Sequence, residues 1–163
     1  MLMVCSTQGC ISDEEPEGPS LKVGDALPVF SIEMNNGTNV STSDLKGKVP
    51  VIVFFNTECK DCQKELPIIQ QLWEQYNGDS RVCILPISRE ESASEIAGYW
   101  KEEGFTMPYS AQEDRTVYSL FAPSIIPRIY IADTKGVITF SSGDTDMPNL
   151  DTLIKAIERA LSI

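Results

Sequence analysis

The 163-residue chain contains no histidine. This excludes Ser-His and Cys-His catalysis, histidine-ligated metal sites and the side chain that ordinarily carries protons near neutral pH. Positive charge is scarce as well. Thirteen basic residues face 24 acidic ones, for a net charge of −11. A surface that acidic repels phosphate backbones, so no nucleic acid is expected as a partner. No apolar stretch approaches the roughly 20 residues that a membrane-spanning helix needs. Chemistry is left to cysteine, carboxylate, lysine and tyrosine. With 42% hydrophobic residues, the length suits one domain with a filled core.

The five cysteines are Cys5, Cys10, Cys59, Cys62 and Cys83. An odd number in a domain this large does not read as a disulfide framework. Cys83, inside the apolar run Val82-Cys83-Ile84-Leu85, reads as a buried inert thiol. Residues 1–20 read as a signal-peptide remnant followed by a flexible acidic tether, and residues 21–163 as the folded domain. Asp13, Glu14, Glu15 and Glu17, interleaved with Pro16, Gly18 and Pro19, make the tether too polar and broken to pack. Gly9-Cys10 followed by Ile11-Ser12-Asp13-Glu14-Glu15 resembles the processing and export signal of a bacterial surface lipoprotein. That resemblance implies lipidation at Cys10, a membrane tether and a place in the cell envelope, in the periplasm or at the outer membrane. The alternative is a frayed terminus with two incidental cysteines.

From Leu21 the pattern is regular. Val29, Phe30 and Ile32, then Asn35-Asn36-Gly37-Thr38 and Val40, predict a small hairpin. Ser43 or Asp44 is expected to cap a short turn ending at Gly47. Val51–Phe55 reads as a strand covered on both faces. Cys62, Leu66, Ile69, Trp73 and Tyr76 then recur at helical spacing until Asn77-Gly78-Asp79. A second strand over 82–85, a helix around Ile96–Trp100 ending near Gly104, and a short helix before Pro123 follow. Ile129–Ile131 and Val137–Phe140 form a hairpin about Asp133–Gly136, and Leu150–Leu161 is an amphipathic helix. Trp73 and Trp100 read as core. The predicted order, hairpin, β-α-β, helix, β-β, helix, gives an α/β fold with a central mixed sheet flanked by helices and an N-terminal hairpin extension.

A Cys-x-x-Cys pair alone is ambiguous among redox chemistry, zinc and a structural bridge. Here it follows a buried strand and opens a helix. Unpaired N–H groups at that terminus stabilise a thiolate on Cys59, while Cys62 lies one turn further in, within bonding reach. Zinc would need two more ligands, and there is no histidine and no second close cysteine pair. A four-residue disulfide loop constrains the unfolded chain little, which weighs against a purely structural bridge.

The stretch VPVIVFFNTECKDCQKELP closely resembles the active-site segment of the thioredoxin superfamily. With KVGDALPVF and SDLKGK upstream it resembles the TlpA/ResA branch, grouped with redoxin and AhpC/TSA-type domains. The resemblance runs from about Leu21 to Ile163. It implies a thioredoxin fold and a thiol-disulfide oxidoreductase without a cofactor or metal, acting as a monomer on protein disulfides with a separate redox partner. It implies catalytic roles for Cys59 and Cys62, and a cis proline at Ile126-Pro127 beside which substrate chain pairs. Glu65 matches a glutamate of the ResA-like branch. A partly buried carboxylate there would exchange a proton with Cys62, and a solvated first-turn carboxylate is the equal alternative. The buried aspartate of thioredoxin itself would fall at Val53 and is missing. Glu58 replaces the usual tryptophan before the first cysteine, and Lys60-Asp61 replaces a pair ending in proline. Glu58 and Asp61 disfavour a Cys59 thiolate whereas Lys60 and the helix terminus favour it, so the net direction is open. Two other functions remain in play. A peroxiredoxin-like peroxidase would carry proline and threonine where Ile52 and Asn56 stand, and a non-catalytic peptide-binding module would keep only the fold.

Overall fold

The computed structural model describes residues 18–163, so Cys10, Cys5 and the tether through residue 17 lie outside the described residues. Six strands and three α-helices follow one another: β1 Ser31–Glu33, β2 Asn39–Ser41, β3 Val49–Phe55, α1 Lys60–Tyr76, β4 Val82–Ser88, α2 Ala93–Glu103, β5 Arg128–Ala132, β6 Ile138–Ser142 and α3 Leu150–Leu161. β1 and β2 pair as a separate antiparallel hairpin. The main sheet has the order β4-β3-β5-β6. β3 is parallel to β4 and antiparallel to β5, which is antiparallel to β6. This is the expected mixed sheet with its hairpin extension.

β3 decides the layout because every one of its residues is buried. Successive side chains of a strand point to opposite faces, so Val49, Val51, Val53 and Phe55 serve one core and Ile52 and Phe54 another. The first core takes Leu66, Ile69 and Leu72 of α1, Ile96 and Trp100 of α2, and Leu153 and Ile157 of α3. The second takes Phe30 and Ile32 of the hairpin region, with Tyr118 and Phe121 from a short 3-10 turn over Tyr118–Leu120. The helices thus share one face, while the hairpin and that turn close the other.

Local chemistry corrects several expectations. The turn after β2 is a 3-10 helix over Thr42–Leu45 capped by Ser41, and Asp44 closes the capping box instead of serving as the cap. Val29 is 89% exposed, because the run Val29-Phe30 alternates and only Phe30 turns inward. Trp73 is only partly buried, whereas Leu72, outside the expected stripe, is fully buried. Cys83 is half-buried. Gly104 ends α2 with a left-handed φ of 72°, a conformation that glycine adopts without strain. No helix among the described residues is long and apolar enough to cross a membrane.

The second core is aromatic. Phe54 meets Tyr118, Phe121 and Tyr130 at centroid distances of 5.3, 5.0 and 6.4 Å. Replacing Phe54 with alanine removes all three contacts and opens a cavity, and is expected to cost about 3–5 kcal/mol. Urea unfolding of the variant beside wild type measures it; a loss under about 1 kcal/mol would show that this core is not packed as described.

Candidate active site

The site forms where β3 delivers the chain to α1. Arg89 N–H donates to the Phe55 carbonyl (2.9 Å), so the ends of β3 and β4 stay together beyond the last strand pair. Asn56 then bends the chain. Its Oδ1 accepts from Glu58 N–H at 2.9 Å and its Nδ2 donates to the Arg89 carbonyl at 3.2 Å. Thr57, 7% exposed, is held by Glu91, 4% exposed. The Glu91 carboxylate accepts the Thr57 N–H at 2.9 Å and also the Thr57 hydroxyl. From the other side Gln63 Nε2 donates to the Thr57 carbonyl at 2.8 Å.

Cys59 follows as the N-cap of α1, with extended backbone, and its Sγ accepts the Cys62 N–H at 3.2 Å. Cysteine here does what a serine or aspartate does at most helix starts, so the orphan amide of the first turn points at sulfur. Cys59 is half-exposed and Cys62 fully buried, and both are free thiols. Burial pushes the Cys62 thiol far up, and its contact with Cys59 pushes the same way. A hydrogen bond from Asn56 N–H and the Arg89 guanidinium pull it down without overcoming burial.

One turn on, Glu65 lies on the Cys62 side of α1, at i+3, and is 2% exposed. Its Oε1 has no hydrogen-bond partner among the described residues. Burial raises its pKa from the usual 4.5 to about 7. The alternative of a solvated carboxylate on the first turn is therefore overturned, because that face of the helix is turned into the protein. Pro67, two residues further, has no N–H to give the helix ladder.

The opposite wall is the segment before β5. The Ile126–Pro127 peptide is cis, and Cys59 Sγ lies 3.8 Å from the Ile126 carbonyl oxygen. Four successive carbonyls of this segment each meet a side-chain donor. Arg115 reaches Pro123 (3.0 Å), Arg128 Nε reaches Ser124 (2.9 Å), the Tyr118 hydroxyl reaches Ile125 (2.6 Å), and Cys59 reaches Ile126. Ile125 itself has a φ of 76°, unusual for a β-branched residue, and the three bonds around it hold it there. Arg89 and Arg115 both stack on the Tyr118 ring, at 5.0 and 5.4 Å.

The structure thus brings together Cys59, Cys62, Glu65, Ile126 and Pro127. Glu91, Thr57, Tyr118 and Arg115 surround them and were not singled out by the sequence. A family model described as AhpC/TSA family matches residues 23–141. The chain belongs to the AhpC/TSA family. A thiol-disulfide oxidoreductase, ResA of Bacillus thuringiensis (strain Al Hakam), is 24% identical over 151 residues, covering 92% of this chain and 84% of that protein. ResA of Bacillus subtilis (strain 168) is 28% identical over 119 residues, covering 73% and 66%. A solution structure from Bacteroides thetaiotaomicron aligns with a TM-score of 0.81 at 24% identity, covering 90% of this chain and 94% of that one. This AhpC/TSA-family chain is thus a TlpA/ResA-like redoxin with a thioredoxin fold, and an oxidoreductase.

Glu65 gives the redoxin a pH signature. Below about pH 4.5 its carboxyl is protonated folded or unfolded; between 4.5 and 7 only the folded chain holds the proton, so stability falls as pH rises. Above pH 7 the full penalty, about 3 kcal/mol, is in place. The Glu65→Gln variant should lack that decline. Urea unfolding of both proteins at pH 4.5 and pH 8 tests it, and parallel pH dependences would refute the buried carboxylate.

Proposed function

We propose that this redoxin exchanges disulfides with protein substrates, with Cys59 as the attacking sulfur and Cys62 as the resolving one. The observation that carries the reading is the pair's geometry. The Cys59 sulfur stands half-exposed at a helix N-terminus with a backbone amide aimed at it, and Cys62 sits sealed behind it. The Cys59 thiolate attacks a substrate disulfide, one substrate thiolate leaves, and a mixed disulfide forms. Cys62 then gives up its proton, attacks Cys59 Sγ and releases the second substrate thiolate.

A thiol as buried as Cys62 needs a base close by. Glu65 is placed for it, with a pKa of about 7 and a free carboxylate oxygen. The strip of exposed Ile125 and partly buried Ile126, next to Pro127, supplies backbone for the incoming chain, because Pro127 has no N–H and the strip lies against the sulfur. Residues 21–163 act as one domain. The Leu21 N–H already binds the Phe121 carbonyl at 2.8 Å, which supports placing the boundary there. Residues 1–20 serve as the tether, with lipid on Cys10 holding a monomeric domain in the cell envelope, where a membrane-borne redox partner resets the pair.

Insulin reduction monitored by turbidity tests the assignment. Cys59→Ser is expected to lose more than about 100-fold in rate, as loss of a nucleophile does. Cys62→Ser should accumulate a mixed disulfide with insulin that mass spectrometry detects. Wild-type rates in Cys59→Ser would overturn the roles.

A further inference from the structure

We propose that a cleft beside Ile125 is a subsite for the zwitterionic α-amino-carboxylate head of a low-molecular-weight thiol carried as a mixed disulfide to Cys59. The proposal rests on the disulfide-exchange reading and names a substrate class for it.

The cleft has a volume of about 250 Å³ and is walled by Ile125, Arg128, Ser141, Asp144 and Thr145, among others. It opens at the end of the sheet where Cys59 emerges. Arg128 begins β5 opposite Phe54 near the end of β3, and the turn carrying Asp144 leaves the end of β6. Arg128 and Asp144 line the same small space, yet neither forms an ion pair with the other or with any described residue. The Arg128 Nε is occupied by the Ser124 carbonyl, which fixes the guanidinium at the wall. Asp146 lines the cleft as well, with one oxygen held by the Gly143 N–H at 2.6 Å, whereas Asp144 has no hydrogen bond to any described residue and is the carboxylate open to a ligand.

Two separated, opposite and unpaired charges are complementary to a group that carries both. A carboxylate on the ligand would meet Arg128 and an ammonium would meet Asp144. A lone acidic or basic side chain of a protein substrate would satisfy one wall and leave the other bare. Reach narrows the class further. The Ile126 carbonyl is 3.8 Å from Cys59 Sγ, and Ile125, the residue before it, forms one wall of the cleft, so the cleft begins about one residue's length, roughly 3–4 Å, beyond the carbonyl that touches the sulfur. A γ-linked glutamyl-cysteinyl thiol such as glutathione spans the gap.

The Cys59 thiolate would attack the small-thiol sulfur of the mixed disulfide. That S–S bond breaks, and the protein thiolate leaves and takes a proton from water. Cys62 passes its proton to Glu65 and attacks Cys59 Sγ, releasing the small thiolate. Two electrons pass from the dithiol to the substrate, and the Cys59–Cys62 disulfide remains.

The test uses the reduced full chain and one peptide whose single cysteine is linked either to glutathione or to 2-mercaptoethanol, with release followed chromatographically. Wild type is expected to favour the glutathionyl peptide by about tenfold in kcat/KM, the scale of one charged hydrogen bond. That ratio should fall towards one in Arg128→Gln and in Asp144→Asn, the second lying in a turn outside the sheet and safe for folding. A ratio near one in wild type, or a ratio that survives Asp144→Asn, overturns the subsite and leaves disulfide exchange standing. Release of neither thiol above the rate of Cys59→Ser overturns disulfide exchange itself, and the subsite with it.

Discussion

The reactive end of the molecule depends on holding the Ile126 carbonyl against Cys59 Sγ across 67 residues of sequence. Neither partner lies inside regular structure, so no sheet or helix ladder fixes the pair. Their backbone groups must be satisfied some other way. Side chains do it. Arg115, Arg128 and Tyr118 hold the carbonyls before Ile126, while Glu91 and Gln63 grip Thr57 from two sides. Each such bond contributes about 1 kcal/mol net, which is little against the ordering of a free loop. Together, with Tyr118 buried on Phe54, they leave both loops one arrangement.

That arrangement gives the Cys59 sulfur two partners with opposite demands. The Cys62 amide donates to it, which suits a thiolate, and the Ile126 carbonyl accepts from it, which suits a thiol. Loss of the proton therefore strengthens one contact and removes the other. The Ile126 carbonyl is then left without that donor, which on the proposed exchange frees it for an N–H of the incoming chain.

Sequence carried the scaffold well, for a physical reason. β3, α1 and α3 are written in hydrophobic periodicity, and Cys59 and Cys62 sit where strand gives way to helix, a local signal. The mixed sheet and the pairing of β5 with β6 follow from turn chemistry at Asp133–Gly136. Glu91 could not be read this way. In Arg89-Glu90-Glu91-Ser92 it looks like a solvated residue ahead of a helix cap, and only contact with Thr57, 34 residues earlier, makes it structural. Tyr118 likewise reads as one more core aromatic, and its hydroxyl acquires meaning only when Ile125 arrives. Glu65 lay between: its spacing from Cys62 was visible, its burial was not, because Gln63 and Lys64 beside it are exposed and the helix face is decided by packing.

Two carboxylates are buried beside the cysteines, and their hydrogen bonds assign them different work. Glu91 accepts from both the amide and the hydroxyl of Thr57, so its lone pairs are used in holding geometry, and those bonds oppose the upward pull of burial on its pKa. Glu65 has an empty oxygen and burial acts on it alone, which leaves it near 7. In a chain without histidine, a carboxyl with a pKa of about 7 titrates where an imidazole otherwise would. Retaining it costs stability at every pH above about 4.5, in full above about 7. A leucine at that position would remove the cost and, on the proposed exchange, the group that takes a proton from Cys62. The burden is therefore carried one helical turn behind Cys62, the sulfur that the proposed exchange deprotonates last.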